Sequence, residues 1–157
     1  LKFADPFKNM IRGLLRQAGA PEPLIERMME GDLKEERIPQ LGVSVRQMTQ
    51  QLGTWGRSIH PDFWVNLATP KIEGYLKAGI PVVVDDLRFP NEYERIIQLG
   101  GYPVKVDRPG TAPYTAHPSE GLLEHYPMPL INNNSTIAEL RACAERLPEL
   151  LGAHSPY

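Results

Sequence analysis

Only one cysteine, Cys143, occurs in the 157 residues. A lone thiol excludes an internal disulfide framework and any zinc site built on cysteines. It suits a reducing cytoplasm, and its expected role is that of a small core residue. Long apolar runs are also missing: nothing approaches the roughly 20 residues that span a bilayer, and no signal-peptide pattern opens the chain. Excess charge of either sign is lacking, with a net charge of −2 and a pI near 6.1. The chain therefore has no basic footprint for duplex nucleic acid or for an anionic membrane. There is no internal repeat, low-complexity tract or coiled-coil heptad. The expectation from these absences is a cytoplasmic protein with neither a membrane nor a duplex as partner; a homodimer is left open.

What is present is a hydrophobic fraction of 41% in a chain of one-domain length, enough for a single core spanning residues 1–157. The most informative stretch is Val82 to Glu92. Three consecutive valines after Gly79-Ile80-Pro81 predict a short strand buried on both faces, the centre of an α/β sheet. The polarity then changes to Asp85, Asp86 and Arg88, and Pro90 with Glu92 and Glu94 opens a helix. Ligands of parallel sheets bind beyond the carboxyl ends of the strands, so these three charged residues stand where chemistry on a charged substrate is expected. The competing reading is a strand-end ion pair. Downstream, Gly100-Gly101 stops the helix, and Tyr102, Val104 and Val106 alternate as a second, parallel strand of a βαβ unit.

Upstream, Leu1 to Ala4 reads as a strand and Asp5-Pro6 as the start of a helix whose core face is Phe7, Met10, Ile11, Leu14 and Leu15. Residues 20–43, rich in proline, glycine and charge, read as an irregular, partly mobile excursion around a short helix from Leu24 to Glu30. Ser44 caps a clearer helix, with Val45, Met48, Leu52, Trp55 and Ile59 on one face. The opposite face carries Gln47, Gln50, Thr54 and Arg57, which is either a solvated stripe or one that reads a base edge and a phosphate. Gly53 and Gly56 near that helix's end suggest backbone closeness or a special turn. A further apolar helix follows from Phe63 to Gly79, kinked or restarted at Pro70; Trp64 in it is core or a platform for a stacked base. After residue 129, Leu130-Ile131 is a last strand. Thr136 and Glu139 cap a helix bearing Cys143, which Pro148 ends.

Several motifs occur together and in order. They are Phe3-Ala4-Asp5-Pro6-x-Lys8, Leu52-Gly53-Thr54-Trp55-Gly56-Arg57, Asp86-x-Arg88-Phe89-x-Asn91-Glu92, Arg108-Pro109-Gly110, and His117-x-Ser119-Glu120. The chain in this respect resembles the phage-type deoxynucleoside monophosphate kinases, over roughly residues 1 to 140. The resemblance implies a parallel-sheet, three-layer α/β fold of the P-loop kinase kind, with a helical acceptor-binding region over 5–78 and a lid over 108–129. It implies phosphoryl transfer from ATP, with Mg²⁺, to a deoxynucleoside 5′-monophosphate. Asp86 would orient hydrated Mg²⁺, with Asp85 as the fallback. Arg88 would hold the acceptor phosphate, and Arg108 would offset charge on the transferring group and meet the donor. Gln47, Gln50, Thr54 and Arg57 would frame the acceptor nucleoside beside Trp64, with Asp5 and Lys8 at the pocket rim. His117 and Glu120 would belong to the lid, unless they form a helix cap and a surface ion pair.

One departure stands against this pattern. No Gly-x-x-x-x-Gly-Lys-[Ser/Thr] phosphate loop occurs in the 157 residues, and the first residue is Leu1 at the head of an expected strand. The expectation is that an N-terminal segment carrying that loop precedes Leu1. Two other readings remain: a non-catalytic nucleotide-binding relative, and a structural or partner-binding α/β domain whose Asp86 and Arg88 form only an ion pair.

Overall fold

The computed structural model describes residues 1–110 and 121–152. The chain divides into two compact units, Leu1–Leu87 and Arg88–Tyr157.

The first unit is helical. Helix α1 (Asp5–Gln17) starts with Pro6 in its first turn and closes at Gly19, whose φ of 84° satisfies a left-handed helix stop. Helix α2 (Glu22–Glu30) follows, then a hairpin of β1 (Arg37–Ile38) and β2 (Val43–Ser44). Helix α3 (Val45–Ile59) begins at once, because Ser44 and Gln47 form a reciprocal capping box: the Gln47 N–H donates to Ser44 Oγ at 3.2 Å, and the Ser44 N–H donates to Gln47 Oε1 at 3.1 Å. Helix α4 (Phe63–Lys77) runs unbroken through Pro70. Neither a restart nor an end occurs there.

Burial in this unit is led by Ile11, Leu15, Ile25, Met29, Ile38 and Val45. Each such side chain contributes roughly 1.5–3 kcal/mol on leaving water. Three of the six come from residues 20–43, so the expected irregular excursion is instead an α2-plus-hairpin module that completes the core. The α1 face is narrower than expected. Phe7, Ile11 and Leu15 are buried at four-residue spacing, but Met10 and Leu14 are about half exposed. On α3 the apolar stripe also turns away: Trp55 and Ile59 are exposed, and Gly53 and Gly56 are buried in their place.

Trp64 explains that rotation. Its indole lies against Gly56, its Nε1–H donates to Gly53 O at 2.9 Å, and its ring meets Phe7 and Phe63 edge-on at centroid distances of 4.9 and 4.8 Å. The glycines serve close helix–helix packing, one of the two uses expected for them.

The expected three-layer parallel sheet does not exist. Among the described residues the strands form only two two-stranded ladders, β1 with β2 antiparallel and β3 (Lys105–Asp107) with β4 (Leu130–Asn132) parallel. The chain is mostly helical, and the P-loop kinase architecture is therefore wrong for it. The valine run shows the physical reason. A strand at a sheet centre needs a ladder on each edge and a layer on each face. Val82 to Val84 carry no regular secondary structure and belong to no ladder, and Val83 is 77% exposed. Among the described residues their pairing is with Leu1, whose amino group donates to Val83 O at 2.8 Å and whose carbonyl accepts from the Asp85 N–H at 3.4 Å. Leu1 to Ala4 is a turn leading into α1 and not a strand. β-Propensity marked a residue type that likes extended backbone; it did not supply partners.

In the second unit, α5 (Pro90–Gln98) forms where expected and ends before Gly100, whose φ is 77°. The alternating Tyr102 to Val106 segment pairs only over β3, and its parallel partner is β4 rather than the valine run. Helix α6 (Ile137–Leu150) is capped by Thr136, whose Oγ1 accepts the Glu139 N–H at 3.2 Å. It continues past Pro148. Cys143 on it is exposed, so the core role expected of this thiol does not hold. No helix among the described residues is long and apolar enough to cross a membrane.

Candidate functional site

In the first unit the expected site residues fall into two groups. One surrounds the start of α1. The Asp86 carboxylate accepts the Phe3 N–H at 2.8 Å on Oδ1 and the Ala4 N–H at 2.9 Å on Oδ2. Burial pushes the Asp86 carboxyl up, the Ala4 and Phe3 N–H groups pull it back, and nearby Asp85 and Asp5 push it further up. The net direction is upward. Asp85 is exposed, with Oδ2 3.7 Å from Lys2 Nζ.

Asp5 does not cap α1. Ala4 is the cap residue, and Asp5 Oδ2 instead accepts the Lys2 N–H upstream at 3.0 Å. Asp86 and Asp5 thus tie residues 2–4 into a fixed turn. Lys8 lies one turn along α1 with only 12% of its side chain exposed, and its Nζ is 2.7 Å from Glu30 Oε1 on α2. Burial works against the Glu30 carboxylate, yet Lys8, with Lys2 and Lys34 beyond it, holds its pKa below the usual range.

The second group is the polar face of α3. Gln50 and Thr54 are exposed there, Arg57 is half-buried, and Gln47 is exposed while its amide oxygen serves the cap. The Thr54 hydroxyl donates to Gln50 O at 3.0 Å, and Arg57 Nη1 donates to Gly53 O at 3.0 Å. The Arg57 head is thereby held against the helix, in the same local structure as the buried Trp64. Trp64, 2% exposed, presents its ring to protein and forms the floor beneath α3.

In the second unit the Arg88 side chain is exposed and makes no hydrogen bond or ion pair among the described residues. Its backbone is firmly placed. Glu92, 5% exposed, accepts the N–H groups of Arg88 and Phe89 on Oε2 at 2.9 and 3.1 Å, closing the first turn of α5. This role for Glu92 was legible only as an acid in a first helical turn. Arg108 follows β3 and is exposed. Of the expected lid, 108–110 and 121–129 are described; His117 and Glu120 lie outside the described residues. The 121–129 stretch is fastened to α5, since the Tyr93 hydroxyl donates to Pro127 O at 2.9 Å and the Tyr93 and Tyr126 rings meet at 4.8 Å.

Sequence reasoning passed over Lys34, Glu30 and Arg46. They sit together around the hairpin and the starts of α1 and α3, and the only sequence signal was a charge cluster from Asp32 to Arg37 that reads as solvated. Among the described residues no three His, Cys, Asp or Glu side chains converge so as to hold a metal ion.

No protein-family model matches the chain, and no solved structure gives a significant match. Two viral proteins are similar to it. One, from Ictalurid herpesvirus 1 (strain Auburn), is named "Uncharacterized protein ORF77"; it is 37% identical over 98 residues, 59% of this chain and 43% of the viral protein. The other, from Acanthamoeba polyphaga mimivirus, is named "Putative deoxynucleotide monophosphate kinase" and is 31% identical over 150 residues, covering 85% of this chain and 74% of the viral protein. That identity over that share of both proteins places the chain in the deoxynucleotide monophosphate kinase family.

Proposed function

We propose that the protein transfers a phosphoryl group from ATP to a deoxynucleoside 5′-monophosphate, giving ADP and the diphosphate. The observation that carries this reading is the similarity to the mimivirus protein across 85% of the chain. Such transfer requires positioned cations and exclusion of water more than a strong base. Arg88, an exposed guanidinium on a backbone clamped by Glu92, is suited to hold the acceptor phosphate through two parallel N–H donors. Arg108 would offset negative charge on the transferring group.

The polar face of α3 would frame the nucleoside. Gln50 offers a donor and an acceptor to a base edge, and Thr54 and Arg57 extend the stripe by about two turns. Trp64 supports that face from below and is not needed as a stacking platform. Asp5 shapes the turn at residues 2–4, and Lys8 belongs to the charge cluster at Glu30.

Magnesium fits this donor set in one manner. Both Asp86 oxygens already accept an N–H, so each has a further lone pair for a water molecule, and Asp85 is open to solvent. A hard cation that keeps most of its waters and takes the rest of its ligands from phosphate oxygens suits such carboxylates. When bound it would neutralise phosphate charge; Asp86, with Asp85 as the second choice, would orient its waters.

The test is to incubate the full chain with ATP, Mg²⁺ and each deoxynucleoside monophosphate in turn, and to follow the diphosphate and ADP. Formation of both in equal amounts is the expected result. Binding of a monophosphate with no transfer would replace this reading with a non-catalytic nucleotide-binding one. No thermal shift with any nucleotide, where a ligand at a hundred times its Kd should add about 2.7 kcal/mol, would leave a structural or partner-binding protein.

A further inference from the structure

Around the junction of α1, α2, the hairpin and α3, four of the five basic side chains that are at least partly buried have an acid each; Arg37 on β1 is exposed. Lys2 faces Asp85 at 3.7 Å, Lys8 faces Glu30 at 2.7 Å, Arg46 faces Glu35 at 2.7 Å, and Arg12 is paired with Glu26. The fifth is Lys34. Its ammonium makes no ion pair and no hydrogen bond among the described residues. It is nevertheless half-buried, and the charges that act on it are mostly of its own sign: burial pushes the Lys34 ammonium down, Arg46, Lys8 and Lys2 push the same way, and only Glu30 opposes them.

The main chain at Lys34 is fixed on several sides. The Arg46 N–H donates to Lys34 O at 3.0 Å, the Glu36 N–H to Leu33 O at 3.1 Å, and the Leu33 N–H to Arg27 O at 3.2 Å. The residue is thus pinned on a turn between α2 and β1, against the first turn of α3. A surface lysine normally turns its head to water. One held half-buried among like charges, with no carboxylate of its own, is a cost to the ligand-free fold. Sites that bind anions carry that cost, because the ligand supplies the missing charge.

We propose that Lys34, with Lys8 and Lys2 beside it, forms a binding site for a phosphate group. An ammonium offers three donors and no acceptor, which suits a dianion with several oxygens and excludes a neutral ligand as the preferred guest. The Glu30 carboxylate, shared between Lys8 and, at 3.9 Å, Arg12, keeps Lys8 aimed into the cluster. The site lies at the N-terminal end of α3, with Gln50 and Thr54 about one and two turns further along that helix. Naming the source of the phosphate rests on the nucleotide reading above: it is either the monophosphate of the acceptor or the triphosphate of the donor.

The experiment uses the full chain and two variants, Lys34→Gln and Lys34→Arg, with unfolding temperature followed against inorganic phosphate, a deoxynucleoside monophosphate and ATP. Without ligand, Lys34→Gln should be at least as stable as the wild type, because it removes a repelled charge. A lysine kept for structure would instead lower the midpoint when replaced. Inorganic phosphate should raise the wild-type midpoint, and its affinity should weaken about tenfold in Lys34→Gln and return in Lys34→Arg. A tenfold loss seen with the monophosphate and not with ATP assigns the site to the acceptor; the reverse assigns it to the donor. Equal affinity of wild type and Lys34→Gln for all three ligands overturns the proposal, as does a wild type that responds to none of them. If Lys34 governs phosphate affinity and no phosphoryl transfer occurs, the anion site stands and the transfer reading falls.

Discussion

Trp64 lies so close to Gly56 that a Cβ on the glycine would sit 2.3 Å from indole Cε2 and 2.4 Å from Cζ2. No side chain fits there without moving the indole or parting α3 from α4. Gly56→Ala should therefore destabilise the protein by about 1–3 kcal/mol, although alanine favours helix more than glycine does. Urea unfolding of the two proteins measures the difference, and a variant as stable as the wild type would mean that the two helices separate freely at this point.

The arginines give the opposite pattern. Arg88→Ala removes an exposed side chain with no protein partner among the described residues, so its unfolding free energy should stay within about 0.5 kcal/mol of the wild type. If the proposed transfer is correct, kcat/KM should fall about 10²–10³-fold. Full turnover together with a loss of stability would remove Arg88 from the site.

Asp86 gives a pH signature. Its folded-state pKa is raised above the ordinary 3.8 by burial. The folded protein thus holds this proton more tightly than the unfolded chain does. The resulting stabilisation is full below the ordinary value and is lost as pH rises through the folded value. Relative to Asp86→Asn, the wild type should gain stability as pH is lowered from neutral toward 3.8. Thermal unfolding of both proteins across that window measures it. A wild type that loses ground to the variant on acidification would mean that the N–H groups of Phe3 and Ala4 outweigh the burial of the charge.

Tyr93→Phe isolates one hydrogen bond. The ring contact with Tyr126 persists while the donor to Pro127 O is lost, which should cost about 0.5–1.5 kcal/mol. Hydrogen exchange should quicken first in residues 121–129 and leave α1 to α4 unchanged. Uniform quickening through the chain would argue against a local tether.

Local signals in the sequence were read well where the deciding interaction is itself local. Ser44 at the head of α3, Thr136 with Glu139, Pro90 at the head of α5 and Gly100 after it are all settled within four residues, and each element starts or stops where those residues indicate. The valine run failed because strand pairing is not local, and Val82 to Val84 found one short partner at Leu1. Burial was misjudged by the same cause. Nothing near Trp55 announces that Trp64, nine positions on, will turn the helix by taking the Gly53 and Gly56 face. Of the site, the individual charges were visible, but the meeting of Lys34 with Lys8 depends on how α2 folds back onto α1.

The buried cluster of the first unit is drawn from one continuous window, Ile11 to Val45. Contacts within so short a window close small loops, and small loops cost little entropy to close. This window should therefore collapse early, while the chain is still emerging from the ribosome and before α4 has left it. Trp64 would then arrive last, docking into a notch that Gly53 and Gly56 already hold open, and the joining of α4 becomes the slow, later step of folding.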